Sequence, residues 1–174
     1  MIETNPFSVF CPPKAKYFVL GSFAAKDGKE GWDYNWYYSN GRNQFWRILE
    51  SIYGVELKDK TAQQKLFTKI SIAVADIILR CERLGNSSLD VRLTNFEYNI
   101  PAIEAVMKKN SIEKVFFTSR FVETHYKKHF KHLVDQFPGV ELITLPSPSP
   151  RYASITKEEK IRKYAEVFPK TILG

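Results

Sequence analysis

Residues 16–23 read KYFVLGSF: one basic residue, four strand-forming apolar residues, then a Gly-Ser turn before Phe23. An apolar run of this length without polar alternation predicts a buried strand that feeds a loop. Two further runs have the same character, KVFFTS at 114–119 and VELITLPS at 140–147. Between and after them lie helical patterns. Phe45, Trp46, Ile48, Leu49, Ile52 and Tyr53 share one 3.6-period face, Pro101 suits the first turn of a helix over 101–110, and Thr156 to Glu159 forms a capping box. Strands that alternate with helices predict an α/β domain with a mainly parallel sheet. The segment ISIAVADIILR at 70–80 fits either a buried helix or a central strand.

In an open parallel sheet the ligand crevice lies beyond the carboxyl ends of the strands. GSF at 21–23 and PSPSPR at 146–151 are therefore expected on one sheet edge. With 174 residues, no internal repeat and no long linker, the chain is expected to form a single domain over 1–174. No apolar run approaches membrane-spanning length, and the first residues lack the basic-then-apolar order of a secretion signal, so a cytoplasmic protein is expected. Two cysteines are too few for a four-ligand zinc or iron–sulfur site. A net charge of +7 favours polyanionic partners, although the lysines at 127, 128 and 131 also read as a solvated helix face.

The stretch YYSNGRNQFW at 37–46 places four aromatic residues and two asparagines around a plausible Ser-Asn-Gly-Arg turn. Taken in order, GSF, YYSNGRNQFW, ADIILRCERLGNSSLD at 75–90 and LPSPSPRYA at 145–153 resemble the uracil-DNA glycosylase superfamily. The similarity is greatest to its hypoxanthine (deoxyinosine) DNA glycosylases, followed by the mismatch-specific uracil/thymine glycosylases.

That resemblance implies a three-layer α/β/α domain that removes a deaminated base from DNA with neither metal nor other cofactor. Such an enzyme must extrude the base and recover the cost by stacking and hydrogen bonding in a pocket. Tyr38 matches the aromatic residue on which the base stacks, with Tyr37 as support. Ser22 and Phe23 match residues lining the pocket floor through backbone groups, although Phe23 stands where mismatch-specific relatives carry an asparagine and Ala24 replaces a usual proline. Asn43 matches the asparagine of an Asn-x-Phe-Trp motif implicated in catalysis in the hypoxanthine branch. Its other reading is a helix N-cap before Gln44, Phe45 and Trp46. Asn40 reads as a turn residue.

In the last loop, Arg151 matches the arginine that fills the gap left in the duplex, and Ser147 and Ser149 match phosphate-holding positions. A rigid proline-rich turn accounts for the same residues. Asp76 and Asp90 are acidic candidates for assisting base or water. His125 and His129 have a spacing that places both on one helix face, but without a third ligand nearby in sequence no metal site is expected. No lysine lies in the matched motifs, so the implied activity is monofunctional, on DNA containing a deaminated base, by a monomer. The alternative is a catalytically silent member of the same fold that binds nucleic acid or a nucleotide.

Overall fold

The computed structural model describes residues 2–24, 35–85 and 90–170. The run at 16–23 forms β2 (Tyr17–Gly21), preceded by β1 (Ile2–Thr4). After it come α1 (Phe45–Tyr53), α2 (Lys60–Lys69), β3 (Ile72–Asp76), β4 (Ile78–Arg83), β5 (Leu93–Tyr98) and α3 (Ile100–Lys109). The chain ends with β6 (Lys114–Phe117), α4 (Arg120–His129), α5 (Lys131–Gln136), β7 (Glu141–Thr144) and α6 (Lys157–Val167). Strands β3-β2-β6-β7 make a four-stranded parallel sheet, and β1-β4-β5 a separate three-stranded antiparallel one.

The side-chain period of two sorts the parallel sheet into two cores. Phe18, Leu20, Ala73, Ala75, Val115 and Phe117 face α3, α4 and α5 through Ile103, Met107, Val122, Tyr126 and Leu133. Val19, Ile72, Val74 and Phe116 face α1, α2 and α6 through Phe45, Leu49, Phe67 and Tyr164. The result is the expected three-layer α/β/α arrangement, with both sheet faces covered.

Local chemistry fixes the helix ends. Asp59, Ser119 and Thr156 accept from the backbone N–H of Ala62, Val122 and Glu159, and α1 stops at Gly54, whose φ of 64° is the left-handed conformation glycine tolerates. The ambiguous segment at 70–80 contains two strands in two sheets. Ile72 to Ala75 are wholly buried on both sheet faces, as a central parallel strand requires, and the chain then turns at Ile77 into β4. There the Ile77 and Ile78 N–H groups donate to the Gly21 and Ser22 carbonyls, at 2.8 and 3.1 Å. The N-terminal segment flanks β3, with Phe10 bridging Val74 in antiparallel sense and Asn5 N–H donating to the Leu79 carbonyl at 2.8 Å.

Candidate functional site

The carboxyl edge of the parallel sheet is where the sequence motifs converge. Gly21 and Asp76 end adjacent strands in register, and Thr118 and Leu145 continue β6 and β7. Gly21 is constrained by space rather than by dihedral angle: a Cβ there would overlap both the Tyr38 hydroxyl and an Asp76 carboxyl oxygen. Tyr38 reaches this position from a left-handed backbone, φ 58°, with its ring 4.4 Å from that of Phe45 between centroids. Its hydroxyl is buried and has no hydrogen-bond partner in good geometry among the described residues, although the Thr118 side chain is near enough to oppose the rise of its pKa. Burial, reinforced by the charge of Asp76, drives its pKa well above the usual tyrosine value.

Asp76 is itself buried, and Asn5 Nδ2 donates to its Oδ2 at 2.7 Å. Burial pushes its pKa up to about 7 against the Asn5 hydrogen bond, and the negative charge of Asp90 adds to the rise. Asp90 accepts from Ser22 Oγ at 2.8 Å. Burial raises its pKa to about 6, while the Ser22 bond and the Arg83 charge pull the other way. The sheet edge therefore carries two carboxyl groups whose pKa values burial raises towards neutrality, beside a buried phenol with no well-formed hydrogen bond among the described residues.

The turn after Tyr38 is built from asparagines. Asn40 Oδ1 accepts from the N–H of Arg42 at 3.2 Å and of Asn43 at 2.8 Å, and Asn43 Oδ1 accepts from Phe45 N–H at 2.9 Å. Asn43 thus caps the Asx turn that leads into α1, whose N-cap residue is Gln44, and this uses one lone pair of its amide oxygen. The next residue carries the turn to the last loop: Gln44 N–H donates to the Pro148 carbonyl at 2.8 Å. Within that loop Ser147 Oγ accepts from Ser149 N–H at 3.2 Å, and Ser149 Oγ from Arg151 N–H at 3.3 Å. α6 supports the loop from below. Tyr164 donates its hydroxyl hydrogen to the Pro146 carbonyl at 2.9 Å, and Lys160 Nζ donates to Gln44 Oε1 at 2.9 Å and to the Ser149 carbonyl at 3.0 Å.

Several expectations need correction. Tyr38 follows Tyr37 in a left-handed backbone conformation that leaves the two rings tilted against each other, 6.2 Å apart between centroids. Tyr37 is core, as read, with its hydroxyl donating to the Ser8 carbonyl at 2.9 Å. Phe23 packs its ring into the α3/α4/α5 core near Arg83, and the Ser22 carbonyl is taken by Ile78. The floor at Ser22 and Phe23 is thus built into the turn towards β4. His125 and His129 both pack against β5: His125 Nδ1 lies 2.7 Å from the Tyr98 hydroxyl, and His129 stacks on Tyr98 at 4.2 Å. Arg151 is exposed. Of GNSS in the middle motif, Asn86, Ser87 and Ser88 lie outside the described residues.

Asn5, Gln44 and Lys160 belong to the site but were not anticipated. Asn5 lies 71 residues from the carboxylate it holds, and Gln44 and Lys160 are 116 apart, separations at which no local pattern registers a pair.

The carboxyl edge of the parallel sheet thus brings Gly21, Tyr38 and Asp76 together, with the turn before α1 tied to the proline loop at Pro148. Among solved structures, the chain is similar to a solution NMR structure from Methanosarcina acetivorans described as a "putative Uracil DNA glycosylase", with a TM-score of 0.68, 21% identity and coverage of 97% of each chain. The fold is accordingly uracil-DNA glycosylase-like. No model of a protein family and no curated protein matches the chain. No helix among the described residues is long and apolar enough to cross a membrane.

Proposed function

We propose that this protein is a monofunctional DNA glycosylase that hydrolyses the N-glycosidic bond of a deaminated base, hypoxanthine or uracil, extruded from DNA. The observation that carries the reading is the Gln44 to Pro148 hydrogen bond of 2.8 Å. It ties the Asn43 turn to the Ser147–Arg151 loop, at the edge where Tyr38 and Asp76 meet Gly21. Base, sugar and phosphate of a single nucleotide need those three elements as neighbours.

In this reading the base enters the slot edged by Ser22, Phe23 and Tyr38, while Ser147 and Ser149 hold the flanking phosphates and Arg151 fills the gap in the stack. Cleavage passes through an oxocarbenium-like sugar and a departing base anion. Asn43 retains its Nδ2 donors and one lone pair of Oδ1 beyond the cap, enough to orient the attacking water. Asp76, poised near neutrality, exchanges between donor and acceptor towards the leaving base. No cofactor takes part. The preference for hypoxanthine follows from the Asn-x-Phe-Trp resemblance, and the protein acts as a monomer in the cytoplasm.

The Asn43 cap favours a second reading, in which the same edge binds nucleic acid without cleaving it. Oligonucleotides carrying hypoxanthine, uracil, xanthine or mismatched thymine, treated with alkali after incubation, distinguish the two. Strand cleavage at hypoxanthine or uracil is expected. Folded protein that cleaves none of them leaves the binding reading. Asn43→Ala should lower the single-turnover rate on the order of a hundredfold at a stability cost of about 1 kcal/mol. A mutant that melts earlier but cleaves at the wild-type rate would make Asn43 purely structural.

A further inference from the structure

Lys160 is a buried cation that the chemistry above leaves unused. It is 1% exposed, and both oxygens that accept from its ammonium, Gln44 Oε1 and the Ser149 carbonyl, are uncharged. The exposed ring of Tyr152 lies over the ammonium, 5.5 Å from it to the centroid. Among the described residues no carboxylate forms an ion pair with Lys160, whereas the other buried cation, Arg83, is paired with Glu3 at 3.0 Å. Burial lowers the pKa of Lys160.

A buried charge without a counter-ion is costly, and a neutral side chain of similar length would tie the same two acceptors with less desolvation. The position of the charge is informative. One acceptor belongs to the residue after Asn43, and the other is the carbonyl of Ser149, in a loop whose Ser147 and Ser149 are both half-buried and keep hydroxyls that accept only from the loop's own backbone. We propose that Lys160 is the buried half of a phosphate site: its counter-ion is a phosphodiester of the bound strand, held on the outer side of the Ser147–Arg151 loop. In the low-dielectric setting behind that loop, the ammonium acts on the phosphate without touching it. This inference rests on the nucleic-acid-binding part of the function proposed above, but not on base excision.

Two variants separate charge from support. Lys160→Gln removes the charge. Gln44→Glu leaves the tie in place as an ion pair and neutralises the ammonium internally. A purely supporting Lys160 would be strengthened by the second change, whereas a phosphate-directed Lys160 would be silenced by it. The measurement is fluorescence anisotropy of a labelled duplex containing an abasic-site analogue, across a salt series, together with the melting temperature of each protein. Both variants should lose affinity by about tenfold and flatten the salt slope by about one charge, with Gln44→Glu melting no earlier than wild type.

If either folded variant keeps wild-type affinity and slope, Lys160 is only a structural tie. A wild-type protein that binds no duplex at any salt overturns this inference together with the nucleic-acid reading. A wild-type protein that binds but excises nothing, with both variants weakened, supports the role of Lys160 while ending the glycosylase reading.

Discussion

The two faces of the parallel sheet are built from similar apolar material and carry different polar content. On the α3/α4/α5 face the contacts are mainly apolar and aromatic, with Tyr126 stacked on Phe130 at 5.1 Å and Phe117 against Tyr126 at the same separation. The α1/α2/α6 face has a comparable core but also buries Lys160 and Gln63, and several of its aromatic residues donate to carbonyls, among them Trp46 Nε1 to Tyr37 at 2.6 Å and Tyr164 to Pro146 at 2.9 Å. Buried polar groups are costly unless satisfied, and here several of their partners are the backbone of the carboxyl-edge turns. One face mainly holds the sheet together. The other also holds the loops in place.

The largest effect should come from damaging the packing face alone. Phe130 is wholly buried there, and Phe130→Ala should cost about 3–5 kcal/mol in denaturant unfolding. Affinity of the remaining folded protein for duplex DNA should not change, because Phe130 makes no hydrogen bond to the edge turns among the described residues. A fall in affinity per folded molecule would show that the faces are coupled.

The second test concerns pH. The pKa of Asp76 in the folded protein, about 7, lies above its unfolded value, so the folded state binds the proton more tightly. The associated stability is fully present below about pH 4 and is lost as pH rises towards 7, at most roughly 4 kcal/mol. Asp90 shifts in the same direction. Asp76→Asn, which keeps an acceptor for Asn5, should therefore melt like the wild type near pH 4 and increasingly above it by pH 7.5. Parallel curves would mean that Asp76 is ionised in both states.

Much of the architecture was legible because it is written in local patterns. The apolar runs at 16–23, 114–119 and 140–147 carry their own strand signal, and Thr156 to Glu159 marks the start of α6 without reference to any other residue. The segment at 70–80 remained open because periodicity cannot separate a doubly buried strand from a buried helix. The candidate site was legible as a set of motifs but not as a geometry. Tyr38 depends on a left-handed turn that tyrosine rarely adopts, and Asp76 depends on Asn5, Gly21 and Asp90, each contributed by a different part of the chain. Lys160 was hidden for a further reason: in sequence it is one more lysine in a charged helix, and only packing shows that it is buried.

A smaller effect is expected at Gly21. A methyl group there would displace either the Tyr38 hydroxyl or the Asp76 carboxyl, an overpacking cost of about 1–3 kcal/mol. If the edge is the active site, Gly21→Ala should lose far more activity than stability, the opposite of Phe130→Ala. Comparable fractional losses in both would erase the distinction between the faces.

The smallest stability change should have the opposite sign. The Tyr38 hydroxyl is buried without a well-formed hydrogen bond among the described residues, and an unsatisfied buried hydroxyl costs on the order of 1–3 kcal/mol. Tyr38→Phe retains the ring contact with Phe45 and removes only that oxygen, so the variant should be more stable by about 1 kcal/mol. A fold that keeps an unpaired polar group at a ligand edge is more stable without it, and the group is explained if a ligand supplies the missing hydrogen bond. Tyr38→Phe should accordingly bind an abasic duplex as the wild type does, since no base is present to meet the hydroxyl, but should excise the base more slowly in single turnover. Higher stability with an unchanged rate would make the hydroxyl irrelevant to the base. Lower stability would show that water already satisfies it, and the contrast between a packing face and a polar, ligand-ready face would then rest on Asp76 and Lys160 alone.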